Sequence, residues 1–254
     1  MAETALNLTA LSGIPVIQPG DDLVRVIVAS LDRDDQRLAD GDVLVVTSKI
    51  VSKSEGQFVR LAEVTPSHRA EELAAQTGKD ARVVELALRE SVEVSRVTTN
   101  IMVTRHRLGF VSANAGIDQS NVDGGDDTVL LLPRDPDASA RAIRDGLEIA
   151  TGAVVGIVIS DSHGRPFRFG NVGVAIGVAG VPGLIDLRGE KDMFGRVLRV
   201  SVQGYADMIA GAAGLLTGEG AEGLPVVLMR GLRYAYEDTD AGAINRPPET
   251  SLYR

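Results

Sequence analysis

Two aspartates, Asp118 and Asp161, and the cations that recur behind its apolar runs are the residues of this chain best suited to chemistry. Asp161 follows the apolar run Val154–Ile159 and stands next to Ser162 in VVGIVISDSHGRPFRFG (154–170). Asp118 lies in the Gly- and Asn-rich stretch ANAGIDQSNVDGG (113–125), three residues before Asn121. Carboxylate and hydroxyl oxygens are hard ligands that suit Mg²⁺ or Mn²⁺. Lys49 and Lys53 sit in TSKIVSKSEG (47–56), behind another apolar run. Hydroxyls, free backbone N–H groups and ammonium groups there would suit phosphate oxygens. Arg165 and Arg168 add guanidinium forks shaped for phosphate or carboxylate. Two carboxylates sharing cations suit phosphoryl transfer, where a metal bridges phosphate oxygens and offsets charge in a loose transition state. Each motif alone also has a plainer reading: Asp161 as a turn cap, 113–125 as an Asx-rich turn, the lysines as a solvated surface.

The rest of the composition removes competing chemistries. The absence of cysteine excludes disulfides, thiolate nucleophiles and thiolate metal sites, and it permits a reducing, cytoplasmic setting, which is the expectation. His68, His106 and His163 are too few and too scattered for an imidazole metal cage, and His106 reads as a turn residue. No Ser-His-Asp or Cys-His arrangement is visible, which argues against a protein nucleophile. A net charge of −9 and the absence of Trp argue against binding a nucleic-acid backbone or stacking bases. No apolar run approaches the roughly 18 residues of a membrane helix. The N-terminal MAETALNLTALSG has neither the basic region nor the apolar core of a secretory leader.

These residues need a scaffold, and the apolar periodicity supplies one. Asp42–Val46, Val154–Ile159, Thr128–Leu132, Val197–Val202 and Pro225–Met229 read as strands, and Ile101–Thr104 pairs with Leu108–Val111 across Arg105-His106-Arg107. Helical spacing covers Asp22–Leu31, Thr65-Pro66 to about Thr77, Ala81–Glu90, Asp135 to about Thr151, and Gly204–Leu216. The expected inward faces are Val84 and Leu88, with Leu86 to the side; Ala140, Ile143, Leu147 and Ile149; and Ala206, Ile209, Ala210 and Ala213. GVAIGVAGVPG (173–183) lets backbones approach one another or a ligand. TGEGAEG (217–223) contains a literal G-x-G-x-x-G, but a dinucleotide fingerprint must follow a strand and open a helix. This one ends a helix and precedes a strand, so it reads as a C-cap and turn, with Glu219 able to complete a metal site. There is no Walker loop. The expected fold is one continuous α+β unit over 1–254, with mixed or antiparallel sheets and flanking helices in one or two lobes. The tail after about residue 232, with Pro247-Pro248, reads as peripheral and loosely attached.

At these loops the chain resembles the coenzyme F420-0:L-glutamate ligase family, GTP-dependent γ-glutamyl ligases of deazaflavin coenzyme synthesis. The resemblance runs from about Ile14 to Gly231. It is carried by IPVI with GDDL behind it, TSKIVSKSEG, ANAGIDQSN, ISDSHGRPFR, VAIGVAG and LPVVLMRG, weak singly and specific together. It implies that Ile14, Pro15, Val16, Ile17, Ser48, Lys49, Lys53 and Asn121 contact GTP. It implies that Thr217, Gly218, Glu219, Gly220, Ala221, Glu222, Gly223 and Leu224 lie against the nucleotide. Asp118 and Asp161 would hold a first divalent metal, Mg²⁺ or Mn²⁺; Asp161, Ser162 and Glu219 would serve a second, and a K⁺ ion belongs to the same expectation. The catalytic candidates are then Asp118, Asp161, Arg165 and Arg168, the arginines holding a substrate carboxylate. The implied reaction phosphorylates the terminal carboxylate of F420-0 with GTP. The amine of L-glutamate then displaces phosphate, and a second round adds a γ-linked glutamate. The resemblance also implies a homodimer. His163 departs from the family, where Phe or Met is usual, and reads as a packing substitute; Phe169, Asn171, Gly173 and Glu219 are further departures that bear on coenzyme specificity. The other readings are a metal-dependent phosphohydrolase or related amide ligase on the same scaffold, and a non-catalytic nucleotide- or coenzyme-binding protein.

Overall fold

The computed structural model describes residues 5–250. Residues 1–4, part of the stretch read for a leader, and 251–254, the end of the expected domain, lie outside the described residues. The chain opens with β1 (Asn7–Ala10), α1 (Leu23–Arg33), β2 (Val43–Thr47) and α2 (Ser48–Ser54). A second group follows: β3 (Phe58–Arg60), α3 (His68–Thr77), α4 (Ala81–Arg89), β4 (Ser91–Thr98), β5 (Ile101–His106), β6 (Val111–Ala113) and β7 (Thr128–Leu130). The chain then returns with α5 (Pro136–Thr151), β8 (Gly156–Arg165), β9 (Arg168–Ala179), β10 (Ile185–Asp186), β11 (Val202–Gln203), α6 (Tyr205–Thr217) and β12 (Val226–Arg230).

The main sheet has the order β1-β12-β2-β8-β9. Only β2 and β8 run parallel; every other neighbouring pair is antiparallel. The chain is therefore α+β with mixed sheets and flanking helices, as the sequence predicts. β2 and the first half of β8 are apolar runs, mostly β-branched, because both of their faces are covered. Leu44, Val46, Ile157 and Ile159 meet Ile27, Leu31, Ile143 and Leu147 of α1 and α5. Val43, Val45 and Val158 meet Ala206, Ile209, Ala210 and Ala213 of α6 on the other face. All four residues expected inward on α6 are buried there. The small residues of β9 do what their size allows. A Cβ on Gly173 would lie 2.3 Å from the Ala210 carbonyl oxygen, and one on Gly177 would lie 2.5 Å from backbone atoms of Pro136.

Several expectations are corrected. β8 does not end at Ser160-Asp161; it continues to Arg165 and folds back onto β9 as a hairpin turning at Pro166-Phe167. Antiparallel pairing with β9 satisfies the backbone there without any apolar run, so composition alone did not reveal the strand. Residues 48–54 are a short helix rather than a loop, because Ile50 and Val51 turn inward and the small hydroxyls of Ser48 and Ser52 are buried beside them. Ser67, not Thr65-Pro66, caps α3, its Oγ accepting from the Ala70 N–H at 3.2 Å. Leu86 is buried because α4 is wedged between two apolar clusters, Leu61 and Val129 on one side and Leu73 and Met102 on the other. Ile149 is 88% exposed, off the apolar stripe of α5.

β4 has no counterpart in the sequence reading. His106 ends β5 fully buried rather than lying in a turn, residues 107–110 make the turn, and the next strand begins at Val111. Of 197–202, only Val202 is in a strand, apart from a lone bridge between Lys191 and Val197. The segment after Gly231 is strapped down. Ala241 is buried, and its N–H donates to Asp137 Oδ1 at 2.9 Å. Arg144 and Arg141 pair with Asp238 and Asp240 at 2.8 and 2.7 Å, and Asn245 donates to the Leu108 carbonyl at 2.9 Å.

The close approach of β9 to α5 has a measurable consequence. Gly177→Ala forces a methyl into rigid backbone and is expected to destabilise by about 1–3 kcal/mol. Gly211→Ala, in α6, places its methyl at an ordinary 3.6 Å from the Gly173 oxygen. It is expected to be neutral or to stabilise by up to about 1 kcal/mol through helix propensity. Urea unfolding of the two variants checks both signs.

Candidate active site

A cleft of ≈ 720 Å³ opens at the C-terminal ends of the parallel pair β2 and β8. Its size suits a nucleotide-sized ligand. All four chemistry-bearing stretches of the sequence reach it, joined by Ile14, Pro15, Val16 and Ile17. Parallel pairing sets Thr47 opposite Ser160, so the first residue of α2 arrives beside the residue after Ser160. Ser48 Oγ accordingly donates to Asp161 Oδ1 at 3.2 Å. The β8–β9 register shifts between Ile159 and Ser160, immediately before Asp161. A bulge at this point re-aims the side chains that follow it.

Asp118 is placed by a two-way bridge to Leu130, N–H to carbonyl at 2.9 Å in both directions. Lys49 Nζ lies 3.0 Å from its Oδ1 and also donates to the carbonyl and Oγ of Ser120 at 3.3 and 3.2 Å. Burial pushes the Asp118 carboxyl up to about 6. Lys49 opposes that rise, while the negative charges of Asp161 and Glu219 add to it. Glu219 Oε2 accepts from Ser162 Oγ at 3.1 Å. Asn121, at φ +57°, donates its side-chain amide to the Gly220 carbonyl at 2.9 Å and ties the 113–125 loop to the glycine-rich loop. Lys53 is buried, lines the cleft, and has no side-chain partner among the described residues.

The cleft thus gathers Asp118, Asp161, Ser162, Glu219, Ser48, Lys49, Lys53 and Asn121, with Thr217, Gly218, Gly220, Ala221, Gly223 and Leu224 along its wall. Glu222 is not among the lining residues; its Oε2 folds back to accept the Gly220 N–H at 2.8 Å. Arg165 and Arg168 do not line the cleft either. They flank the β8–β9 turn, where Arg165 Nη2 donates to the Phe169 carbonyl at 3.2 Å. Two features escaped the sequence, Ser120 as a Lys49 partner and Phe110 beside His163, and His163, read there as a packing substitute, makes a polar contact. His163 Nε2 lies 3.0 Å from Asp161 Oδ2, so this ring is more than packing. The signal was available, because residues two apart on a strand share a face, but it required β8 to be drawn past Asp161. Asp161 stands between Ser48 and His163, so the trio is not arranged to activate a serine nucleophile.

Among the described residues, no three His, Cys, Asp or Glu side chains converge as a ready-made metal cage. Mg²⁺ commonly uses one or two carboxylates and completes its shell with water and substrate phosphates. Two aspartates with a hydroxyl and Glu219 at one wall fit that mode. So does a carboxyl whose proton is held by burial, with neighbouring negative charge that a cation would relieve adding to the effect.

The chain has known relatives over nearly its whole length. Residues 13–231 match the family described as F420-0:Gamma-glutamyl ligase. The chain is 44% identical over 251 residues to the coenzyme F420:L-glutamate ligase of Methanothermobacter thermautotrophicus, covering 98% of this chain and 99% of that protein. It is 45% identical over 242 residues to the enzyme of the same name from Methanopyrus kandleri, covering 94% and 93%. Against that from Archaeoglobus fulgidus it is 46% identical over 227 residues, covering 89% and 88%.

The raised Asp118 carboxyl makes a signed statement about stability. Between the ordinary carboxyl value of 3.8 and about 6, the folded protein keeps a proton that the unfolded chain has lost. This group therefore makes stability fall as pH rises through that window, and its cost is fully present above it. Without divalent cation near neutral pH, Asp118→Asn is expected to be more stable than the parent by roughly 1–3 kcal/mol, the gain vanishing by about pH 4. Chemical denaturation at the two pH values measures it.

Proposed function

The chain belongs to the F420-0:gamma-glutamyl ligase family, and from that premise we propose that it joins L-glutamate to coenzyme F420-0 through an amide bond at the expense of GTP. The observation that carries the proposal is the meeting, in one cleft, of Lys49 and Lys53 with Asp118 and Asp161, from segments far apart in the chain.

A carboxylate oxygen of F420-0 attacks the γ-phosphorus of GTP, the bond to the bridging oxygen breaks, and GDP leaves. The glutamate amine then attacks the activated acyl carbon, the bond to the phosphate oxygen breaks, and a proton is lost from nitrogen. A further round on the product adds a second, γ-linked glutamate. The Lys53 ammonium, with no protein partner, and Lys49 steady the phosphates. Ile14 to Ile17 and the 217–224 loop enclose the rest of the nucleotide. Asp118 and Asp161 would hold one divalent cation, Mg²⁺ or Mn²⁺, and Asp161, Ser162 and Glu219 would hold a second, with K⁺ accompanying them; bound there, they would supply positive charge against the developing phosphate charge. Arg165 and Arg168, assigned to a substrate carboxylate, require the coenzyme to extend beyond the residues that line the cleft. The proposed working form is a cytoplasmic homodimer. No described helix is long and apolar enough to cross a membrane.

The test is incubation with GTP, Mn²⁺, L-glutamate and F420-0, followed by coenzyme mass. A glutamyl increment is the expected outcome. Phosphate release without it would instead indicate hydrolysis, and tight binding with no turnover a non-catalytic role. In the same assay Asp161→Asn is expected to lower turnover by about 10³-fold with the fold retained. Lys53→Ala is expected to raise the KM for GTP about tenfold or more.

A further inference from the structure

Asp161 carries much of the proposed metal chemistry, and its carboxylate is held on both oxygens. Ser48 Oγ donates to Oδ1 at 3.2 Å, and His163 Nε2 lies 3.0 Å from Oδ2. A ring nitrogen that close to an ionised carboxylate carries the proton, because the carboxylate offers only lone pairs. Donors on opposite oxygens fix the rotation of the carboxylate and leave its remaining lone pairs for a ligand. The imidazole is itself immobile. It is 8% exposed, and its ring centre lies 4.8 Å from that of Phe110, tilted by 48°. Phe110 stacks on the buried His106 at 5.0 Å and 5°. His106 is locked in turn by the Leu108 N–H, which donates to its Nδ1 at 3.1 Å. A column of three rings therefore runs from the end of β5, across the 107–110 turn, to β8. Beyond this packing, the imidazole adds a single N–H aimed at Oδ2.

We propose that His163 is a positioning residue that presets the Asp161 carboxylate for divalent-cation binding, its orientation held by the Phe110–His106 stack. The proposal rests on the reading of Asp161 as a metal ligand. Hydrogen bonds to ligating groups from the surrounding shell are worth about 10–100-fold in metal affinity.

Mn²⁺ titration of the full chain, with free Mn²⁺ followed by electron paramagnetic resonance and thermal melts alongside, tests it. His163→Phe keeps the ring and removes the donor. It is expected to bind Mn²⁺ about tenfold more weakly while its Tm stays within about 2 °C of the parent. His163→Gln, which restores an N–H, is expected to recover affinity to within about threefold. If His163→Phe does not fold, His163→Met makes the same comparison. Parental affinity in the donor-less variant, or no recovery with Gln, overturns the proposal. Asp161→Asn separates the two levels. Unchanged Mn²⁺ binding there overturns the metal-ligand reading and this proposal with it. Lost binding there beside normal binding in His163→Phe overturns the positioning role alone.

Discussion

The structure is organised by the need to keep carboxylates ionised in a half-buried cleft. Removing a carboxylate from water favours its neutral form unless donors or cations replace the lost hydration. Asp118, Asp161 and Glu219 each have such a replacement, drawn mostly from another part of the chain. Asp161 has Ser48 and His163, Asp118 has Lys49, and Glu219 has Ser162. For Asp118 the replacement is insufficient: burial outweighs Lys49, and its neighbours' charges add to the deficit. The cleft is therefore a place where the protein tolerates an unfavourable arrangement. The buried three-layer core around β2 and β8 supplies the surplus stability.

That core also explains the position of the site. Where β2 stops and α2 begins, the parallel neighbour β8 continues for five more residues as one arm of a hairpin. The change leaves α2's first residues beside the polar half of β8, so Ser48 and Lys49 face Asp161 and Asp118. The glycines of β9 and the alanines of α6 let the helix lie close enough for the glycine-rich loop after it to reach Ser162. A larger side chain at Gly173 would push against the backbone of α6 and carry Glu219 away with it.

Most of the site was legible in the sequence, and the way the fold departed from the reading shows why. Asp118, Asp161, Lys49 and Lys53 stood out because polar residues of defined chemistry closed apolar runs. The runs before the lysines and Asp161 became β2 and the first half of β8. Errors gathered where apolar periodicity fell silent. The outer half of β8, SDSHGR, has no alternation of hydrophobic residues, since its backbone is satisfied by β9 and one side faces a cleft. Residues 48–54 looked like a loop because serines and lysines are usually exposed, yet a functional cleft buries them. The tail looked free because the anchors that hold it, Asp137, Arg141 and Arg144, lie on a helix a hundred residues earlier. Local rules fail most often where a site overrides them.

Charge counting ties the cleft to its proposed cargo. Four carboxylates, Asp118, Asp123, Asp161 and Glu219, line the cleft with two ammonium groups, Lys49 and Lys53, so it is two charges negative before anything binds. A nucleoside triphosphate near neutral pH adds about four negative charges. Two lysines cannot hold that polyanion against four acids. Two divalent cations would return the loaded cleft to about its starting charge and would relieve the repulsion that adds to the burial-driven rise of Asp118. The same acids that make the empty cleft a poor host for phosphate alone make it a good host for phosphate that arrives with metal. An acidic protein can thus bind a triphosphate selectively, with the cations and the nucleotide each required for the other.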